Sequence, residues 1–110
     1  MNVYDEANSL ARAIRESTEY REYKKVKELI NAESGLKEQV DEFEKIRYEE
    51  QLMAMQGEKQ SEEKMQKLQE LYQILVQNPN VKEYFEKEVK FNVMIADVNK
   101  IIGEAIKDVL

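Results

Sequence analysis

The chain has 110 residues, a net charge of -6 and 36% charged against 42% apolar residues, enough for a single domain with one real core. It has no cysteine and no histidine, which excludes disulfides, thiolate catalysis and Cys-ligated zinc or iron–sulfur clusters, and removes the commonest general base and metal ligand. The acidic balance argues against a general nucleic-acid binder and a basic membrane-surface helix, and with no membrane-length apolar run or signal-peptide core the expected location is the cytoplasm.

Three glycines and one proline leave little punctuation for strands and turns, so the composition reads as long amphipathic helices. Val3, Ala7, Leu10, Ala11 and Ile14 recur at helical spacing and predict a first helix over about 3–15, with Asp5 and Glu6 near its positive end. Ser17-Thr18 breaks it and caps the next. Tyr20, Tyr23, Val26 and Ile30 give the inner face of a second helix over 19–31. Ser34-Gly35 reads as a cap, a kink or a weak turn, which leaves open whether the second and third helices are separate.

Leu36, Val40, Phe43, Ile46 and Met53 carry a third helix over 35–56. Glu50 sits on its apolar stripe and Arg47 at the edge. Gly57 fits the position just past a helix end. Ser61, followed by Glu62 and Glu63, caps a fourth helix over 61–77. Met65, Leu68, Leu71, Tyr72 and Leu75 form its inner face. The short connection predicts an antiparallel hairpin of the third and fourth helices.

Asn78-Pro79 opens the fifth helix, over 79–109, with Asn78 as N-cap and Pro79 at a position that needs no amide partner. It is expected to fold back on the fourth helix. Val81, Phe85, Ile95, Ile102, Ile106 and Val109 fall on one stripe, and Tyr84, Phe91, Met94, Val98, Ile101 and Ala105 on the next. From Phe91 onward the stripes merge into a face wide enough for two neighbours. Val81 to Val109 would span roughly 40 Å, whereas a compact domain of this length has a radius of gyration of about 13 Å. The expectation is therefore one all-α domain over 1–110, an elongated antiparallel bundle of about five helices with a long C-terminal helix, whose surplus apolar surface meets a second copy.

Chemistry is scarce. Glu49-Glu50 and Glu62-Glu63 are adjacent acids, but helix neighbours do not face one cleft, so neither makes an acid–base pair. Glu50 with Glu88 offers at most an oxygen-only metal site. Pairing with Arg47 or a lysine, or contact with water, is the plainer expectation. Arg21, Lys24, Lys25 and Lys27, interleaved with Tyr20 and Tyr23, form the single basic aromatic run. It supports an RNA-contacting alternative, against which stands a core role for both tyrosines. Leu52, Met53 and Met55 cannot all face one core, which marks that corner for an outside protein partner.

Several pieces in order carry a family resemblance: Met55-Gln56-Gly57-Glu58, Ser61-Glu62-Glu63, Gln77-Asn78-Pro79, Phe85, and Ile95-Ala96-Asp97-Val98-Asn99-Lys100-Ile101-Ile102. With the short first helix and Tyr20/Tyr23, the chain resembles the YlbF/YmcA family of small helical proteins of Gram-positive bacteria, most strongly its YheA-like branch. The resemblance implies an all-helical, cytoplasmic, oligomer-forming protein without catalysis of its own. It further implies a link to the YlbF–YmcA–YaaT complex associated with ribonuclease Y, which influences mRNA processing, competence, sporulation and biofilm formation. Members of that complex carry cysteines associated with iron–sulfur clusters. This chain has none, so thiolate ligation of a cluster is excluded, and the YheA-like branch has no established activity.

The resulting expectation is a non-enzymatic interaction or adaptor protein, a homodimer without cofactor or metal. Self-association falls to Phe91, Met94, Ile95, Val98, Ile101 and Ile102, and partner binding to Leu52, Met53 and Met55. The alternatives are the RNA-contacting accessory and a cryptic metal-dependent hydrolase.

Overall fold

In a computed structural model the described residues, 2–110, form five helices and no strand: α1 (Val3–Glu16), α2 (Thr18–Ala32), α3 (Leu36–Met55), α4 (Glu62–Leu75) and α5 (Pro79–Ile106). The fold is all-α with a long C-terminal helix.

Local chemistry sets the breaks. The Asn2 side chain accepts from the amides of Tyr4 (2.8 Å) and Asp5 (3.4 Å) and starts α1. Ser17 closes one helix and opens the next: its hydroxyl donates to the Ile14 carbonyl and accepts from the Tyr20 amide. Between α2 and α3 the chain turns through Gly35 at φ 81°, so the two helices are separate. Gly57, at φ 75°, ends α3. There the Glu58 amide donates to the Met53 carbonyl (2.9 Å) and the Gly57 amide to Ala54 (3.2 Å), a double closure that needs a left-handed residue at this point. Ser61 caps α4 through the Lys64 amide. Asn78 opens α5 by accepting from the Asn80 amide at 2.9 Å.

The chain divides into two compact units. One comprises residues 28–82. In it α3 and α4 run antiparallel, as Glu49 meets Lys64 (3.6 Å) and Glu42 meets Lys67 (3.2 Å). Phe43 packs on Tyr72 with ring centres 6.1 Å apart. Ile30, Leu36, Val40, Phe43, Leu75 and Val81 are buried.

The other comprises residues 1–27 and 83–110. In it α2 runs antiparallel to α5. Tyr20 meets Phe91 at 6.2 Å, Tyr23 stacks on Tyr84 and Phe91 at 5.3 Å each, and Glu22 pairs with Lys87 at 2.9 Å. The neighbour of α5 along this aromatic stretch is thus α2, where the sequence reading had set the fourth helix. Short connections name which helices follow each other, but the match of Tyr20 and Tyr23 to Tyr84 and Phe91 decides which faces meet. Val26 and Tyr84 are the buried apolar residues here. α1 buries none of its side chains.

Candidate functional site

The C-terminal half of α5 departs most from an ordinary globular surface. Up to Glu88, its inward positions are covered: Tyr84 is 2% and Glu88 9% exposed. Beyond that the same faces open. Phe91, Met94, Ile95 and Val98 are half-buried, while Ile101, Ile102 and Ile106 are 70%, 47% and 42% exposed. The charges of α5 after Met94 (Asp97, Lys100 and Glu104) crowd one side of the helix, leaving the rest of its circumference uncharged. Val89, Val93, Met94, Val98 and Ile101, with Glu19 of α2, line an open groove of about 490 Å³.

Of the six residues expected from sequence to self-associate, Phe91 packs within the chain against Tyr20 and Tyr23. Ile101 and Ile102 are the exposed pair. At the other corner Leu52 and Met53 are half-buried and Met55 is 82% exposed. A second groove, about 670 Å³, runs along α4 and is lined by Phe43, Gln60, Met65, Leu68 and Tyr72 among others. Sequence reasoning missed it, because the inner-face pattern of α4 assigns Met65 and Tyr72 to the core, and both are about two-fifths exposed (40% and 42%).

The basic run has lost its aromatics to the core. Arg21, Lys24, Lys25 and Lys27 are exposed, but Tyr20 and Tyr23 pack inward, with the Tyr23 hydroxyl 3.4 Å from Tyr84 Oη and 3.4 Å from Glu88 Oε2. The two rings of the run thus face Tyr84 and Phe91 rather than a base.

Glu62 and Glu63 stand in the first turn of α4 as expected, but Glu50 is placed differently from the sequence reading. Glu50 is 2% exposed, and neither carboxylate oxygen has a hydrogen-bond partner among the described residues. The Arg47 guanidinium expected beside it lies over the Phe43 ring, 5.5 Å from its centre. Gln60 Nε2 donates to the Glu50 main-chain carbonyl at 3.1 Å, which leaves the side chain itself unaided. Among the described residues no group of three or more acidic side chains is placed to hold a metal. Lys87, by hydrogen bond and charge, holds the Glu22 carboxyl below its ordinary range. No described helix is long and apolar enough to cross a membrane.

Residues 3–107 match the family model described as control of competence regulator ComK, YlbF/YmcA. The chain belongs to the YlbF/YmcA family. Within it, the chain is 42% identical over 110 residues to a UPF0342 protein of Desulfitobacterium hafniense, covering 100% of this chain and 89% of that one. It is 38% identical over 106 residues to a UPF0342 protein of Caldicellulosiruptor bescii, covering 96% and 89%. A UPF0342 protein of Streptococcus pyogenes is 34% identical over 108 residues, covering 98% and 96%. The family description names control of a regulator, and the names of these relatives specify no reaction.

Proposed function

We propose that this YlbF/YmcA-family chain is a non-enzymatic, self-associating interaction protein that works as an adaptor or regulator in the cytoplasm. The observation that carries the reading is the uncharged, open face of α5 beyond Met94, with Ile101 70% exposed. Burying such a face is worth about 25 cal/mol per Å², and a standard interface takes about 800 Å² from each partner. A patch built from Met94, Ile95, Val98, Ile101 and Ile102, rimmed by Asp97 and Lys100, has the apolar centre and charged edge of such interfaces. Phe91 supports it from inside. The family description supports control of a competence regulator as the process served. A ribonuclease-associated complex is the partner that the resemblance of its motifs implies. Met55, 82% exposed at the end of α3, with Leu52 and Met53, offers a second, smaller surface for such a partner.

Sedimentation velocity across micromolar concentrations tests the reading. Dimers are expected for the wild-type chain, and monomers with unchanged helix content for Ile101→Asp. A wild-type chain that stays monomeric throughout removes self-association.

A further inference from the structure

We propose that Arg47 is a two-position side chain: its guanidinium rests on the Phe43 ring in one state and pairs with the Glu50 carboxylate in the other. The exchange sets what the Phe43 ring offers to the groove along α4. All three residues belong to the unit of residues 28–82.

Three acids of α3 meet a lysine at the surface: Asp41 with Lys37 at 3.0 Å, Glu42 with Lys67 at 3.2 Å and Glu49 with Lys64 at 3.6 Å. Glu50, on the inner side, is 2% exposed, and neither oxygen has a partner among the described residues. An orphaned buried carboxylate is costly, and a cation brought to it with good geometry relieves that cost. Side chains three or four positions apart are neighbours on a helix. For Glu50 these are Ile46, Arg47, Met53 and Ala54, so Arg47 is the cation that α3 itself brings within reach.

In the described state Arg47 is half-buried, with its guanidinium 5.5 Å from the centre of the Phe43 ring. Phe43 lies four positions before it and Glu50 three after it, so both flank Arg47 on one side of the helix. Each position leaves something unmet. Over the ring, the guanidinium keeps its cation–π contact and part of its water, while the carboxylate stays alone. On Glu50 the carboxylate gains its counter-charge, but the guanidinium gives up water and the ring loses that contact. Two states with costs so opposed lie close enough for both to be occupied. Phe43 and Tyr72 help to wall the groove of about 670 Å³ along α4, so moving Arg47 changes what the ring presents there.

A cycle of variants in the full chain tests this. Glu50→Met is expected to raise the urea midpoint in the wild-type background, where the carboxylate is mostly unpaired. In Phe43→Leu, which takes away the ring, Arg47 is expected on Glu50, and the same Glu50→Met change is expected to lower the midpoint or leave it unchanged. In Phe43→Leu/Arg47→Met the gain is expected to return. An equal effect of Glu50→Met in the wild-type and Phe43→Leu backgrounds overturns the proposal. So does a gain still missing once Arg47 is gone, which assigns the partner to another cation. Proton NMR gives a second reading in proteins that keep the ring. The Hδ protons of Arg47 are expected further upfield in Glu50→Met than in wild type, because the one position left to them is over Phe43. Identical shifts in the two proteins give Arg47 a single position and overturn the exchange.

Discussion

Lys87 Nζ stands 2.9 Å from Glu22 Oε2, tying α2 to α5 one turn from the Tyr23–Tyr84 stack. Each partner holds the other charged. Glu22 titrates below its ordinary 4.5 because of the Lys87 hydrogen bond and charge, helped by Lys90 and Arg21. Lys87 titrates above 10.5, chiefly through the same hydrogen bond.

The direction of each shift fixes the pH window of the pair. Glu22 binds its proton less readily in the folded chain, so its contribution is complete above about 4.5 and fades as pH falls through the depressed value. Lys87 holds its proton more tightly when folded, so its share is complete below about 10.5 and fades as pH rises through the raised value. Lys87→Met is expected to return the Glu22 titration, followed by carboxyl NMR, toward its ordinary value. The stability gap between wild type and variant in urea is expected to be flat at neutral pH and to close in acid. A Glu22 titration that does not move in Lys87→Met would show that the two side chains do not pair in solution.

Glu50 supplies the opposite case, a carboxylate that is 2% exposed with no partner for either oxygen among the described residues. Leaving a polar group buried and unsatisfied costs about 1–3 kcal/mol, and an apolar side chain of similar volume avoids that cost. Glu50→Met is therefore expected to raise stability by about 1–3 kcal/mol, visible as a higher urea midpoint with an unchanged slope. Gln60 still bonds the main-chain carbonyl in this variant, so the end of α3 keeps its tie to the loop. A loss of stability would mean that the carboxylate serves an interaction formed only in an assembly.

Gly57 tests whether the end of α3 rests on backbone freedom alone. A Cβ placed there meets nothing within 4 Å, while φ is +75°. Any cost of Gly57→Ala is thus conformational, about 1–2 kcal/mol for an L-residue held left-handed. Thermal melts are expected to show that loss with the hairpin ion pairs Glu49–Lys64 and Glu42–Lys67 intact. A neutral substitution would show that the turn can relax.

These cases mark what the amino-acid order made legible. Ser17, Gly57, Ser61 and Asn78 act on amides and carbonyls within a few residues of themselves, so the helix breaks could be read directly. Asn2 acts in the same way, capping α1 through the Tyr4 and Asp5 amides, although the sequence reading did not name it. Which faces meet was not local information. Both stripes of α5 are apolar, and only the aromatic match with Tyr20 and Tyr23 selects α2 as the neighbour. The orphaned Glu50 was hidden for the same reason: sequence placed it on the inner stripe of α3 and put Arg47 within reach, but Arg47 lies over Phe43 instead. At the candidate site, the apolar pattern marked Phe91 and Ile101 alike, although one is spent inside the chain and the other is open.

That last difference can be measured. Phe91 packs on two tyrosines, so Phe91→Ala removes contacts within the chain, with an expected loss of about 2–4 kcal/mol at a half-buried site. Ile101 is 70% exposed, and Ile101→Asp removes almost nothing from a single chain while placing a charge at the centre of the proposed interface. Chemical denaturation is expected to move strongly for Phe91→Ala and within about 0.5 kcal/mol for Ile101→Asp at concentrations where the chain is monomeric. Sedimentation at higher concentration is expected to reverse the order of severity, with Ile101→Asp monomeric and Phe91→Ala, where folded, still able to associate. If the two variants lose stability and association in the same proportion, the C-terminal half of α5 is an interior face of the single chain, and the interface lies elsewhere.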